Sequence, residues 1–281
     1  MENPPDRDEL TRRLDAAIRA AGEAGRETLR WFGRKGLAVE LKQDRSPVTE
    51  ADRAAEGVLR KELLDAFPQD GFLGEETGAT PGTSGFEWVC DPIDGTKSFI
   101  HGVPLYATLV GCRRIAGRVE GASAPIVGVI AIPAADEMVF AASGCGAWHA
   151  RGYGGGGRGT AEPAKVSTVA TLSGGLFTTS DATSFDARNR RDARDALERA
   201  CGLSRTWGDG YGYLLVATGR AIAMVDPLLN AWDAAAVMPV VVEAGGRFTD
   251  WEGRPRIDSG DGVATNGHVH EAAIEILRSR P

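Results

Sequence analysis

Residues 88–99 read Trp88-Val-Cys-Asp-Pro-Ile-Asp-Gly-Thr-Lys-Ser-Phe99. An apolar strand leads in and is expected to end at Asp91, because Pro92 has no N–H to give a sheet ladder. Asp91 and Asp94 then stand three residues apart across a tight turn, so both carboxylates can converge on one side. Hard cations such as Mg²⁺ take such oxygen ligands, keep several waters and let a substrate phosphate complete the shell. The Ile93 carbonyl lies between the two acids as a further oxygen. Gly95 lets the backbone approach a ligand closely, and the amides of Gly95 and Thr96 fall at a helix start, where anions bind. The same residues also compose an ordinary polar turn, since Asp, Pro and Gly are turn formers. Their surroundings must decide.

Upstream, Gly74-Glu75-Glu76 sets an acidic pair beside a glycine, and Val48-Thr-Glu-Ala-Asp52 puts Asp52 in the first turn of a helix. Downstream, Trp232-Asp233 heads an otherwise apolar helix. Taken singly, an acid at a helix N-terminus is a favourable dipole partner and no more. Four acidic segments in one chain suggest a shared purpose.

The periodicities around them alternate. Apolar positions from about Glu9 to Phe32 recur close to every 3.6 residues and predict a long amphipathic helix. Leu37–Leu41 alternates as a short strand, Glu50–Phe67 is a helix, and Gly71–Gly78 is an acidic loop. Strands are predicted at Leu105–Cys112, Ile126–Ile132 and Met138–Ala142. The second half reads as strand Leu172–Thr178, helix Asp186–Cys201, helix Tyr211–Thr218, strand Ala221–Val225 and helix Ala231–Ala244. Strands Arg247–Thr249 and Val263–Thr265 and a closing helix His268–Arg280 complete it. The Arg151–Arg158 stretch, with its glycine run, reads as a surface excursion, because no Lys-Ser/Thr follows to make a phosphate cradle. No repeat or long linker appears, so 1–281 is expected to be one unit of layered helices and mixed sheets. Its halves are about 1–150, carrying the acidic motifs, and about 165–281.

The chain has 281 residues, 42% of them hydrophobic and 25% charged, with a formal net charge of −7. That balance argues against a nucleic-acid backbone as partner. It also means that a phosphorylated ligand needs bound cations to invert the local sign. Four scattered cysteines without a CxxC pair fit a reducing compartment. No apolar run approaches the ~20 residues of a membrane span, and the N-terminus has no apolar signal core. A cytoplasmic protein with no membrane partner is expected.

Together the four acidic segments resemble the inositol monophosphatase superfamily of Mg²⁺-dependent, lithium-sensitive phosphatases. The matching motifs are Gly74-Glu-Glu76, the Trp88–Phe99 stretch, Trp232-Asp-Ala-Ala-Ala236 and Glu243-Ala-Gly-Gly246, and the likeness covers nearly the whole chain. It implies a layered αβαβα sandwich of the inositol monophosphatase and fructose-1,6-bisphosphatase type, in α/β (α+β) class, and commonly a homodimer. It implies two to three Mg²⁺ ions. Glu75, Asp91 and the Ile93 carbonyl would hold one, Asp91, Asp94 and Asp233 a second, and a weaker third would lie near Glu75. Thr96 and Asp52 would polarise the attacking water, with Glu76 also in the catalytic set, and the Gly95 and Thr96 amides would hold phosphate oxygens. Such an enzyme attacks the ester directly with water and forms no covalent intermediate.

Within that family the substrate is read by the second half. Arg205-Thr-Trp-Gly-Asp209 places a carboxylate where inositol-type members usually carry a small neutral residue, and Asp226 stands seven before Asp233, at a substrate-contacting position. Acids away from the cations suggest a cationic group on the substrate, and histidinol phosphate carries an amine and an imidazole. Phe177-Thr-Thr-Ser180 and Thr96-Lys-Ser-Phe-Ile100 also look like the histidinol-phosphatase subgroup. The alternative is that Arg205 and Asp209 form a plain local ion pair. A broader inositol or sugar phosphatase is the alternative, and a non-catalytic metal-binding protein a third reading.

Overall fold

The computed structural model of the chain describes residues 6–42, 46–115, 124–152 and 160–279. Helix α1 (Arg7–Leu29) opens the fold, and an antiparallel pair, β1 (Val39–Leu41) and β2 (Pro47–Thr49), leads into α2 (Glu50–Ala66). There follow β3 (Gly71–Gly74), β4 (Gly78–Thr80), β5 (Phe86–Asp94), α3 (Thr96–Ile100), β6 (Ala107–Arg114), β7 (Pro125–Ile132), β8 (Glu137–Ala142), β9 (Ala147–Arg151) and β10 (Glu162–Pro163). The second half comprises β11 (Leu176–Thr178), α4 (Ser184–Ala187), α5 (Arg191–Ala200), β12 (Leu203–Arg205), α6 (Asp209–Ala217) and β13 (Ala223–Asp226). It ends with α7 (Ala231–Glu243), β14 (Arg247–Thr249), β15 (Gly262–Thr265) and α8 (His270–Arg278).

The large sheet runs β10-β9-β8-β7-β6-β5-β3-β4, antiparallel except where β3 lies parallel to β5. The smaller sheet runs β12-β11-β13-β15-β14, with β11 parallel to both neighbours. Leu14 and Ile18 of α1 and Leu59 and Leu63 of α2 cover one face of the large sheet, over Phe72, Trp88 and Phe140. The apolar helices α6 and α7 fill the space between the sheets, packing Leu214, Val237 and Val240 against Leu109, Ile130 and Phe248. Three successive alanines, Ala234–Ala236, are fully buried there, and such small side chains let a helix lie close on strands. Leu197 of α5 and Ile274 and Leu277 of α8 close the outer face of the small sheet over Phe177 and Val263. The layers therefore run α/β/α/β/α, the order implied by the resemblance.

Several local expectations need correction. The strand through Trp88 does not stop at Asp91: β5 continues to Asp94, with its register shifted between Asp91 and Asp94. Pro92 sits in that irregularity, where no donor is required, and its carbonyl accepts from Thr108 Oγ1 at 2.9 Å. The acidic loop is a hairpin, β3 and β4, with Glu75–Thr77 at its tip. The helix expected over Asp186–Cys201 is broken in two, with Asn189 between at φ 54°. In the Leu172–Thr178 strand, Leu172–Gly174 is a 3₁₀ turn. Strands β2, β9, β10 and β12 were not expected. The run Tyr153–Gly157 lies outside the described residues.

Candidate active site

The end of β5 delivers Asp91 and Asp94 to the seam between the two sheets. Inside the bulge, Asp91 Oδ1 accepts from Ile93 N at 2.9 Å, and the Ile93 carbonyl accepts from Thr96 Oγ1 at 3.1 Å. Gly95 then turns the chain at φ 86°, a left-handed conformation that costs glycine little. Asp233 arrives from the opposite layer, in the first turn of α7, where its Oδ2 accepts from Asn230 N at 2.8 Å in a capping box. One carboxylate oxygen from each of Asp91, Asp94 and Asp233 lies within 4.8 Å of the other two.

These acids repel one another. Burial first, then Glu75, Asp94 and Asp233, holds Asp91 well above the usual carboxylate range. Asp94 is raised by burial, then by Asp209 and Asp233. Asp233 is pushed up to about 7, again chiefly by burial. A bound cation would reverse that sign. The donors are all hard oxygens, and oxygens about 2.1 Å from one small cation stand at most about 4.2 Å apart. Three oxygens within 4.8 Å of one another therefore suit such an ion once their side chains draw in around it.

The hairpin tip brings Glu75 to the same cavity, whose volume is about 360 Å³. Lys42 was not singled out in the sequence, yet its Nζ donates to Glu75 Oε1 and Glu76 Oε1, at 2.7 Å each. Glu76 is pushed up to about 6, first by burial, and stands behind Glu75, away from the cavity lining. Asp52 is buried beside it in α2, and its Oδ2 accepts from both Thr49 N (2.8 Å) and Thr49 Oγ1 (2.6 Å). Burial, then weakly Glu75, raises its carboxyl. Ala51 packs with Ile93 and Phe99, so the start of α2 abuts the α3 turn. Thr96 lines the cavity, but its hydroxyl is given to Ile93 and not to Asp52.

The far wall comes from the second half. Asp209 begins α6 at φ 52°, in the left-handed region that Asp tolerates better than most residues. Its N–H donates to Ser180 Oγ at 2.8 Å, and its Oδ2 lies 2.6 Å from where a Cβ on Gly95 would stand. The next amide, Gly210 N, donates to Asp94 Oδ2, so the wall and the cluster are joined through backbone. Burial raises Asp209, partly opposed by the Ser180 bond and Lys97. Asp226 is buried on β13; it accepts from Ser180 N (3.1 Å) and Tyr213 Oη (2.9 Å), and burial pushes it up to about 7. Ser180, Tyr213 and Lys97 were not expected to line the cavity. Ser180 and Lys97 lie in stretches quoted for the subgroup likeness, but their place on the wall, like that of Tyr213, emerges only from the folded chain. Arg205 stands apart from this lining: its guanidinium lies 5.7 Å from the Trp207 ring centroid and donates to Ser204 O.

The chain belongs to the inositol monophosphatase family, whose family model matches residues 6–281, and it is a phosphatase of that family. It is 41% identical over 256 residues to the histidinol-phosphatase of Chlorobaculum parvum, covering 91% of this chain and 92% of that one. It is also similar to the inositol-1-monophosphatase of Rhizobium meliloti, 33% identical over 269 residues with 94% and 96% covered. Among solved structures it resembles the extragenic suppressor protein SuhB of Bartonella henselae, with TM-score 0.83, 28% identity and coverage of 95% and 99%. The layered architecture is thus that of the inositol monophosphatase fold. Among the described residues, no helix is long and apolar enough to cross a membrane.

Proposed function

We propose that this phosphatase hydrolyses histidinol phosphate to histidinol and phosphate, using Mg²⁺ held by its carboxylate cluster. Glu75, Asp91 and the Ile93 carbonyl are assigned to one ion, Asp91, Asp94 and Asp233 to a second, and the Glu75 side to a weaker third. When bound, Mg²⁺ supplies charge neutralisation for the ester and acidifies water. The chain's own task is then positioning. The Gly95 and Thr96 amides hold phosphate oxygens, and Thr96 and Asp52 orient the water that attacks phosphorus directly.

The observation that carries the substrate choice is the Asp209 carboxylate, half-buried on the wall of the cavity that holds the cluster. Ser180 links the Asp209 backbone N–H, which its Oγ accepts, to the Asp226 carboxylate, to which its own N–H donates. A polyol phosphate offers no cation to such a group, whereas histidinol phosphate offers its amine. The likeness to the Chlorobaculum parvum enzyme supports the same choice, and the likeness to the Rhizobium meliloti enzyme favours the broader alternative. The test is to compare kcat/KM for histidinol phosphate, inositol 1-phosphate and glycerol 2-phosphate, with Mg²⁺ and with a chelator. Histidinol phosphate should lead by about tenfold or more, the low end of a charge-assisted bond. Equal rates on all three would establish a broad phosphatase instead, and rates untouched by the chelator would remove the metal from the reading.

A further inference from the structure

Helix α2 carries a second acid one turn beyond Asp52. Glu56 is fully buried, on the helix whose neighbours Leu59 and Leu63 fill the core. A carboxylate there is costly unless hydrogen-bonded. Its partners are backbone groups: Oε2 accepts from Glu76 N and Oε1 from Thr77 N, each at 2.8 Å. Both amides belong to the tip of the β3–β4 hairpin. The fit is close, since a Cβ on Gly74 would lie 2.4 Å from Glu56 Oε2 and 2.6 Å from Oε1. One helix turn further, Arg60 donates to Thr77 Oγ1 (3.2 Å) and Thr80 Oγ1 (2.9 Å), gripping the same hairpin.

We infer that Glu56 is a positioning residue: it fixes the hairpin tip from behind so that Glu75 meets the cavity, and thereby sets the cation affinity of that side of the cluster. The inference rests on the proposed assignment of Glu75 to a metal ion. Residues one shell away from a metal commonly change its affinity when removed, because they orient the ligands. Here the orienting bonds run to the backbone amides of the two residues after the ligand, Glu76 and Thr77. Helix α2 thus fixes Asp52 through its own capping box and Glu75 through Glu56.

The test uses the full chain and three variants. Glu56→Gln is nearly isosteric but turns an NH₂ toward one of the two amides. Gly74→Ala keeps the Glu56 charge while displacing its carboxylate. Leu63→Ala loosens the same helix away from the hairpin. Mg²⁺ affinity is measured by titration calorimetry without substrate, alongside Tm and the Mg²⁺ activation curve. Positioning predicts that E56Q and G74A each weaken Mg²⁺ binding about tenfold. Their kcat at saturating Mg²⁺ should stay within about threefold of wild type, while L63A lowers Tm and leaves Mg²⁺ affinity unchanged. If E56Q and G74A lower Tm as L63A does without moving Mg²⁺ affinity, Glu56 is a structural staple and the inference falls. A loss in E56Q alone would mark a simple charge effect and also overturn it. Should G74A not fold, the contrast between E56Q and L63A decides. A wild type that binds no Mg²⁺ would overturn the metal assignment itself, which the wild-type titration reveals separately.

Discussion

Replacing Asp209 by Asn changes one charge and almost nothing else. Asn tolerates the left-handed backbone that Asp209 adopts at φ 52°, and the Asp209 N–H to Ser180 Oγ and Gly210 N–H to Asp94 bonds are backbone donations that survive. On the proposed function the lost carboxylate is the partner of the substrate amine. A hydrogen bond to a charged group contributes about 1.5–3 kcal/mol, or roughly ten- to two-hundredfold in kcat/KM. The loss should fall on histidinol phosphate and spare glycerol 2-phosphate, whose phosphate meets an unchanged site. There is a second signature. Asp209 is the neighbour that most raises Asp94 after burial, so D209N relieves repulsion and should raise the Tm of the metal-free protein at pH 7. Steady-state kinetics on both esters and a melting curve in chelator give the answer. Equal losses on the two substrates, or a lowered Tm, would show that Asp209 supports the fold and would refute the amine contact.

Asp94→Asn should abolish turnover while leaving the fold intact. Because the carboxyl is held above its ordinary range in the folded state, its ionised form destabilises the metal-free protein at neutral pH. The variant's Tm in chelator should therefore rise, and near-wild-type activity at low Mg²⁺ would contradict the metal assignment. Thr96→Ala should lower kcat by about a hundredfold with little change in KM, as expected for a group that orients the attacking water; an unchanged kcat would leave Thr96 a purely structural cap on Ile93. Away from the site, His270 sits buried between Thr249 Oγ1 (3.1 Å) and Thr265 Oγ1 (3.0 Å), and burial lowers it to about 4. The unfolded chain then takes up the proton first, near pH 6.5, so stability is full above that value and falls as pH drops toward 4. Unfolding in urea at pH 7 and pH 5 should show about 2 kcal/mol of this loss, absent in His270→Gln; parallel curves for the two proteins would remove His270 as the cause.

What could be read in advance followed period and punctuation. The long opening helix announced itself through Leu10, Leu14, Ala17 and Ile18, all buried on one stripe, and the paired acids around Gly95 through a turn with few other uses. The apolar strands β6, β7 and β8 were found within two residues of their ends. The edge strands β10 and β12 were not, at two and three residues long, although the equally short edge strand β14 was read at Arg247–Thr249. Strand β3 was hidden because its four residues, Gly71-Phe-Leu-Gly74, begin and end in glycine, the mark of a loop. The break at Asn189 interrupts a pattern that stays helical on both sides. Within the site, the acids of the cluster were legible because each sits in its own motif. Lys42 and Glu56 were not, since Lys42 meets Glu75 33 positions on and Glu56 meets Glu76 20 positions on. Their chemistry exists only once the hairpin tip folds over α2.

The seam between the sheets has a bearing on how such a protein changes over generations. Asp91 and Asp94 come from the large sheet, while Asp209 and Asp226 come from α6 and β13. On the proposed function, side chains on the wall can be exchanged, and the accepted ester with them, while the acids of the cluster stay fixed. The coupling that limits this freedom is the amide of Gly210 on Asp94. A lineage can trade the Asp209 side chain, but an insertion or deletion at the start of α6 would be felt at once by the chemistry. New specificities should therefore arise here by substitution, with the length of that segment held constant.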